Sequence, residues 1–208
     1  MLRLQMRSAI ILAGGRSTRM NGEKGLKTLG GVPLVNHVIR RVSGLVDDVF
    51  LVLGSREQQN AYAGVVDGGV EMLMDIYRDS SPLVGAMTGF ERAGGGYALV
   101  TGCDMPFIQV EAVQLLFREA EGHDGAVFLW PNGWIEPLLA VYKVVPSLSK
   151  AAELYDKGEM RIRMILRELG DVSMIPVENL KEFDPDLHTL FDVDTEEALR
   201  EAEELLKK

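Results

Sequence analysis

The sequence predicts an α/β protein of three layers, with helices on both faces of a mostly parallel sheet. Three observations predict it. Apolar runs of strand length, such as Ser8 to Ala13 and Val49 to Leu53, alternate with stretches of helical periodicity. Runs of this kind, unbroken by polar residues, suit strands covered on both faces, as parallel strands are. Gly and Pro punctuate the alternation at Gly14 and Gly15, Pro33, Gly44, Gly54, Pro82 and the Gly94 to Gly96 run.

In order, the first strand is Ser8 to Ala13. After a glycine-rich loop, a helix starts near Pro33, carries Leu34, Val38, Ile39 and Val42 at helical spacing, and ends at Gly44. A second strand, Val49 to Leu53, leads through Gly54 to a polar helix, and a third, Val70 to Met74, stops at Asp75. Pro82 opens a helix to about Ala93; Tyr97 to Thr101 is a buried strand, and Val110 to Ala120 a helix with apolar positions on one face. The rhythm then changes. Ala126 to Trp130 and Pro137 to Tyr142 read as two strands joined by the Pro131, Asn132, Gly133 turn, which makes the sheet mixed. Helices at Val145 to Tyr155 and Arg161 to Glu168, a strand near Val172 to Val177 and a charged helix from about Thr195 complete the chain. The organisation expected is one domain over residues 1–208. A first half, about 1–123, carries the βα units; a smaller lobe and the closing helix, about 124–208, cover one end of the sheet.

The 208 residues are 47% hydrophobic and 25% charged, ordinary for a globular protein with one sizeable core. Lys plus Arg number 22 against 31 Asp plus Glu, and the resulting charge of −9 argues against bulk electrostatic binding to nucleic acid or an anionic membrane. No apolar run approaches the roughly 18–20 residues of a membrane span. Met1 to Arg7 lead into a stretch too brief for a secretory signal, so mature sequence is expected. The single cysteine, Cys103, excludes an internal disulfide and a Cys-rich zinc site, fits a reducing cytoplasm, and reads as a small buried filler.

The most informative segment is ILAGGRSTRMNGEKGLKTL, residues 11–29. Here a strand ends in two glycines, and Arg16, Arg19, Lys24 and Lys27 fall within twelve positions with one acid, Glu23, among them. Glycines let backbone N–H groups approach a phosphate, and the cations neutralise it. Open α/β sheets bind ligands at this end of their strands. The alternative is a solvated loop with no ligand. The Walker A order is absent, since Gly22 precedes Glu23 and Lys24 precedes Gly25, and the adjacent Gly14 and Gly15 break the dinucleotide fingerprint.

The run LAGGRSTRM followed by EKGL resembles the signature loop of nucleotidyltransferases that activate sugars and cofactors. SPLVG at 81–85, TGCDMPF at 101–107, IEPLLAVY at 135–142 and FDVDTEEAL at 191–199 resemble further elements of that family, in order along the chain. Together they resemble the MobA family of molybdenum cofactor guanylyltransferases. The resemblance implies a Rossmann-like fold of the nucleotide-diphospho-sugar-transferase type. It also implies a cytoplasmic, Mg²⁺-dependent transfer of GMP from GTP to the phosphate of molybdopterin, with release of pyrophosphate and possible exchange with other cofactor-assembly proteins. Two departures stand out: Ser81 replaces a glycine, and Asp192 and Asp194 replace two asparagines. Rival readings are a relative using CTP or a sugar-phosphate acceptor, and an inactive nucleotide-binding protein.

By the same resemblance, Arg19 and Lys24 bind the triphosphate. Leu12, Ala13, Gly14 and Gly15 offer backbone to the nucleotide, and Asp75 contacts it or serves as a loop carboxylate. Asp104, ahead of Pro106, holds Mg²⁺ or makes an Asx turn. Asp192 and Asp194 are metal or acceptor contacts, although Asp194 reads better as the N-cap of the last helix, with Thr195 as the rival cap. Arg161 and Arg163 read as a solvated helix face, and Trp130 and Trp134 as hairpin packing, with a contact to the acceptor as the other reading of both pairs. His37, His123 and His188 have no metal-site spacing.

Overall fold

The computed structural model describes residues 6–14, 22–75, 77 and 79–207. Seven strands form one sheet in the order β5-β4-β1-β6-β8-β7-β9, built from β1 (Arg7–Leu12), β4 (Asp48–Leu53), β5 (Val70–Met74), β6 (Tyr97–Gly102), β7 (Gly125–Leu129), β8 (Ile135–Lys143) and β9 (Val172–Pro176). A separate two-residue pair, β2 (Thr28–Leu29) and β3 (Val32–Pro33), lies outside it. Every neighbouring pair in the large sheet is parallel except the two made by β8, so the sheet is mostly parallel and mixed, as expected.

The inner strands are buried on both faces, and their residues divide by parity. Ala9 and Ile11 of β1 join Leu51 and Leu99 in one core, against α1 (Leu34–Val42) and α4 (Val110–Ala120). Ile10 joins Phe50, Val52 and Val100 in the other, against α3 (Pro82–Arg92), α5 (Val144–Asp156) and α6 (Arg163–Glu168). This alternation follows from the two-residue period of a strand, and it turns continuous apolar runs into a three-layer sandwich.

Helix starts follow local chemistry. Ser81 caps α3, its Oγ accepting from the Val84 N–H at 3.3 Å, and Pro82 takes the first helical position. The serine that departs from the family's glycine therefore has a local task. Pro33 falls one residue earlier than expected, in the cap position of α1. Thr195, not Asp194, caps α7 (Glu196–Leu205), accepting from the Ala198 N–H at 3.1 Å. The segment expected to cover one end of the sheet extends its edge instead, because β7, β8 and β9 are strands of the same sheet. Among the described residues, no helix is long and apolar enough to cross a membrane.

Candidate active site

Parallel strands bring their carboxyl ends to one rim of the sheet. Leu12, Leu53, Met74, Gly102 and Leu129 end there, and antiparallel β8 begins there. Ligands of open α/β sheets bind at such a rim.

At the end of β1 the chain offers backbone. Ala13 N–H donates to Val52 O at 2.9 Å, and Leu12 O accepts from Cys103 N–H at 3.1 Å. A Cβ on Gly54 would lie 2.9 Å from Gly14 O, so these two strand-end loops approach backbone to backbone, and glycine is required there. Leu12, Ala13 and Gly14 thus lie together at the rim, while Gly15, Arg16 and Arg19 lie outside the described residues. Gln58, in α2 (Arg56–Tyr62), ties this corner together: its Oε1 accepts from Gly54 N–H at 2.7 Å and its Nε2 donates to Glu23 at 2.7 Å. Sequence reasoning missed Gln58, which carries no motif and sits in a helix legible only as polar. Asp75, one residue past β5, accepts from the Thr88 hydroxyl at 2.8 Å, and its N–H donates to Leu53 O at 2.8 Å.

Past β6 the chain offers charge. Lys24 Nζ lies 2.8 Å from Asp104 Oδ2 and 2.5 Å from Asp194 Oδ1, a bridge between the glycine-rich loop, β6 and the segment before α7. Burial by itself pulls the Lys24 ammonium down, but Asp104 and then Asp194 outweigh it and hold the group above its ordinary value. A Cβ on Gly102 would collide with the Asp104 carboxylate, so only glycine leaves room for that carboxylate beside the strand end. Cys103 is buried, and its thiol is pushed up by burial first and by Asp104 second, so it is inert filler, as expected.

Asp192 faces a crowd of like charges. Removal from bulk water by the surrounding chain, then Asp104, Asp194 and Glu136, push its carboxyl from 3.8 up to about 7, although its surface stays open to solvent. One ammonium, Lys24, thus faces a rim rich in carboxylates. Glu136 is held by the Trp130 indole N–H at 2.5 Å. The sequence-level preference for Asp194 as a helix cap is corrected here: its carboxylate pairs with Lys24, and Thr195 does the capping.

The segment leading to Asp192 and Asp194 is tied down by a buried carboxylate that sequence reasoning also missed. Asp184 is 5% exposed; its Oδ1 accepts from His188 N–H at 3.0 Å and its Oδ2 from Thr189 N–H at 2.7 Å. Between them Leu187 takes a left-handed conformation at φ 57°, uncommon for a residue with a side chain. The Thr189 hydroxyl in turn accepts from Gln109 N–H, the residue before α4, at 3.3 Å, and Val193 N–H donates to Asp104 O at 2.9 Å. The return is therefore anchored at both ends.

Arg161 is held by Glu159 through its guanidinium and its backbone N–H. Arg163 lies over the Trp134 ring rather than on a solvated helix face. His37 Nε2–H donates to Leu29 O at 2.9 Å, and His188 lies against Phe107; among the described residues no three His, Cys, Asp or Glu side chains gather as a metal site.

Residues 9–172 match the model of the MobA-like NTP transferase domain. A probable molybdenum cofactor guanylyltransferase of Natronomonas pharaonis is 36% identical, covering 96% of this chain and 98% of its own length. Another, of Methanosarcina mazei, is 33% identical over 93% of this chain and 88% of its own. The crystal structure of the molybdopterin-guanine dinucleotide biosynthesis protein A of Archaeoglobus fulgidus superposes with a TM-score of 0.82 at 26% identity, covering 97% of this chain and 99% of that one. The architecture is the nucleotide-diphospho-sugar-transferase type that the sequence implied. Since the family model matches residues 9–172 and these relatives are at least 33% identical over most of the chain, this chain belongs to the MobA-like NTP transferase family.

Proposed function

We propose that this chain transfers GMP from GTP to the phosphate of molybdopterin. A phosphate oxygen of the acceptor forms a bond to the α-phosphorus, the bond from that phosphorus to the bridging oxygen breaks, and pyrophosphate leaves with the electron pair. The observation that carries the reading is Lys24, held between Asp104 and Asp194 beside the glycine end of β1. Relatives named as molybdenum cofactor guanylyltransferases support the choice of nucleotide and acceptor.

The protein's task in such a transfer is positioning and charge neutralisation, without a covalent nucleophile. Backbone at Leu12, Ala13 and Gly14 receives the nucleotide, and Asp75, oriented by Thr88, contacts it. Lys24 neutralises charge on the departing pyrophosphate, turning from its carboxylates toward phosphate oxygens. Gly15 is assigned to the nucleotide, and Arg19 to its triphosphate, by resemblance alone.

Magnesium fits the residues present. Among the described residues, no three His, Cys, Asp or Glu side chains are gathered to cage a metal by themselves. A strand-end carboxylate in an oxygen-rich rim with one ammonium is nevertheless the donor set Mg²⁺ takes when phosphates supply the other ligands. Asp104 would hold it. Bound there, the ion supplies charge stabilisation at the phosphate oxygens. A cytoplasmic setting, with exchange of the acceptor among other cofactor-assembly proteins, completes the proposal.

Thermal unfolding with Mg²⁺ and each of GTP, ATP, CTP and UTP tests the nucleotide. A ligand bound only by the folded state adds about 2.7 kcal/mol at a hundredfold excess over its dissociation constant. The expected result is a raised midpoint with GTP alone. A rise with CTP alone would transfer the protein to cytidylyl chemistry, and no rise with any nucleotide would overturn the proposal.

A further inference from the structure

Two residues on the rim are left over by the transfer site. Trp134, just before β8, is 48% exposed, and the Arg163 guanidinium lies over its ring, 5.3 Å from the centroid. Trp134 O accepts from Trp130 N–H at 2.8 Å, and the Trp130 indole holds Glu136, whose charge reaches Asp192. The pair therefore continues the carboxylate rim on the side away from β1, β4 and β5, where the nucleotide-binding backbone lies.

Neither residue is settled by the protein itself. An indole packed into its hairpin would be covered, and this one is not. Arg163 is half-buried, its Nε is buried without a hydrogen-bond partner, and no described carboxylate pairs with it, although acids exceed bases by nine in the chain. Five other described guanidinium groups have an acid: Arg7 has Glu121, Arg40 has Asp67, Arg92 has Glu71, Arg118 has Glu119 and Arg161 has Glu159. The buried Nε of Arg163 lies out of a ligand's reach, so its terminal guanidinium nitrogens, which no described carboxylate meets, are the donors left for a ligand to complete. An arginine on one face of an indole also fixes the ring and leaves its other face for a flat partner.

We infer that Trp134 and Arg163 form the subsite that selects the acceptor, taking a flat, fused-ring anion. The ring stacks on the open face of Trp134, and a ring carbonyl or anionic oxygen accepts from the Arg163 guanidinium. The inference rests on the guanylyl-transfer reading and deepens it, because it names the side chains that recognise the acceptor rather than the nucleotide. Guanine is also flat, so a contact from Trp134 to GTP is the competing outcome.

The test titrates the full chain with pterin-6-carboxylate, followed by pterin fluorescence, with plain pterin and GTP titrated in parallel. Wild type, Trp134→Ala, Trp134→Phe and Arg163→Met are compared, after thermal unfolding shows that each folds. Trp134→Ala is expected to weaken pterin-6-carboxylate about tenfold or more, as losses of ring stacking do, while Trp134→Phe stays within about threefold. Arg163→Met is expected to weaken pterin-6-carboxylate more than plain pterin. GTP affinity should hold in all three variants. Equal binding by wild type and Trp134→Ala overturns the subsite, as does a loss of GTP affinity in place of pterin affinity. Wild type that binds GTP and neither pterin overturns it too, leaving the nucleotide proposal standing. Wild type that binds the pterin through Trp134 and binds no GTP supports the subsite and removes the guanylyl reading.

Discussion

The two sides of the rim are built by different means. On the side of β1, β4 and β5 the chain presents backbone, tightened by Gly14 against Gly54 and pinned by Gln58, with further ties from Leu12 to Cys103 and from Asp75 to Thr88. On the side of β6 and β8 it presents side chains from distant segments: Lys24, Asp104, Glu136, Asp192 and Asp194, with Lys24 and Asp194 separated by 170 positions. A phosphate chain is common to all nucleotides and is met by N–H groups and a few cations, so a local loop suffices. Charge at a reacting centre must be placed to within tenths of an ångström, and here the C-terminal segment is tied to β6 through Val193 N–H and Asp104 O. Under the proposed function, the first side would serve nucleotide binding and the second the reacting centre.

The largest effect should come from the residue where the two sides meet. Asp104→Ala is expected to lower kcat/KM for transfer about 10³-fold, the order seen when one preorganised electrostatic group is removed from a reacting centre. The melting midpoint should stay close to wild type, because Lys24 keeps Asp194. A rate near wild type would take Asp104 out of the mechanism and erase the division between binding and catalytic sides.

The division also explains what was legible in the sequence. The strand and helix order came through because burial on both strand faces leaves continuous apolar runs and because helices repeat every three to four residues; α4 and β5 match their expected ranges. Lys24 and Asp104 were reachable through motifs, each a few residues long. Asp194 was misread as a cap, since Asp and Thr are both good N-caps and local preference cannot rank them; only the meeting with Lys24 decides it. Gln58 and Asp184 carry no local signal at all. Their partners are set by the fold: Gln58 Nε2 reaches Ala13 O across 45 positions. The hairpin strands were legible, but their pairing with β6 and β9 was not, because strand pairing across the sheet leaves no trace in the periodicity of either strand.

Asp184 sharpens the comparison by acting on the assembled side alone. Asp184→Ala leaves the His188 and Thr189 N–H groups without their buried acceptors, a loss of about 2–3 kcal/mol in denaturant unfolding. With the return loosened, Asp192 and Asp194 lose their register on Asp104, so kcat should fall about tenfold while GTP affinity holds. Asp184→Asn keeps one accepting oxygen and should recover part of the loss in kcat. Loss of stability with kcat unchanged would show that Asp184 holds the fold and positions nothing.

The smallest effect is electrostatic and belongs to Asp192. Its carboxyl stands at about 7 in the folded protein against an ordinary 3.8, so between those values the native state keeps a proton that the unfolded chain has lost. The contribution is therefore full below about pH 4, declines as pH rises toward 7, and is gone above it. Since the side chain is open to water, which screens its neighbours, the decline should be a fraction of what that rise would give in a group sealed from solvent. Asp192→Asn removes the titration, so the difference in unfolding free energy between wild type and variant should drift with pH across that window and level off above it. A constant difference from pH 4 to 8 would mean that solvent screens the three neighbouring carboxylates, and that the rim holds its excess charge without strain even before a cation arrives.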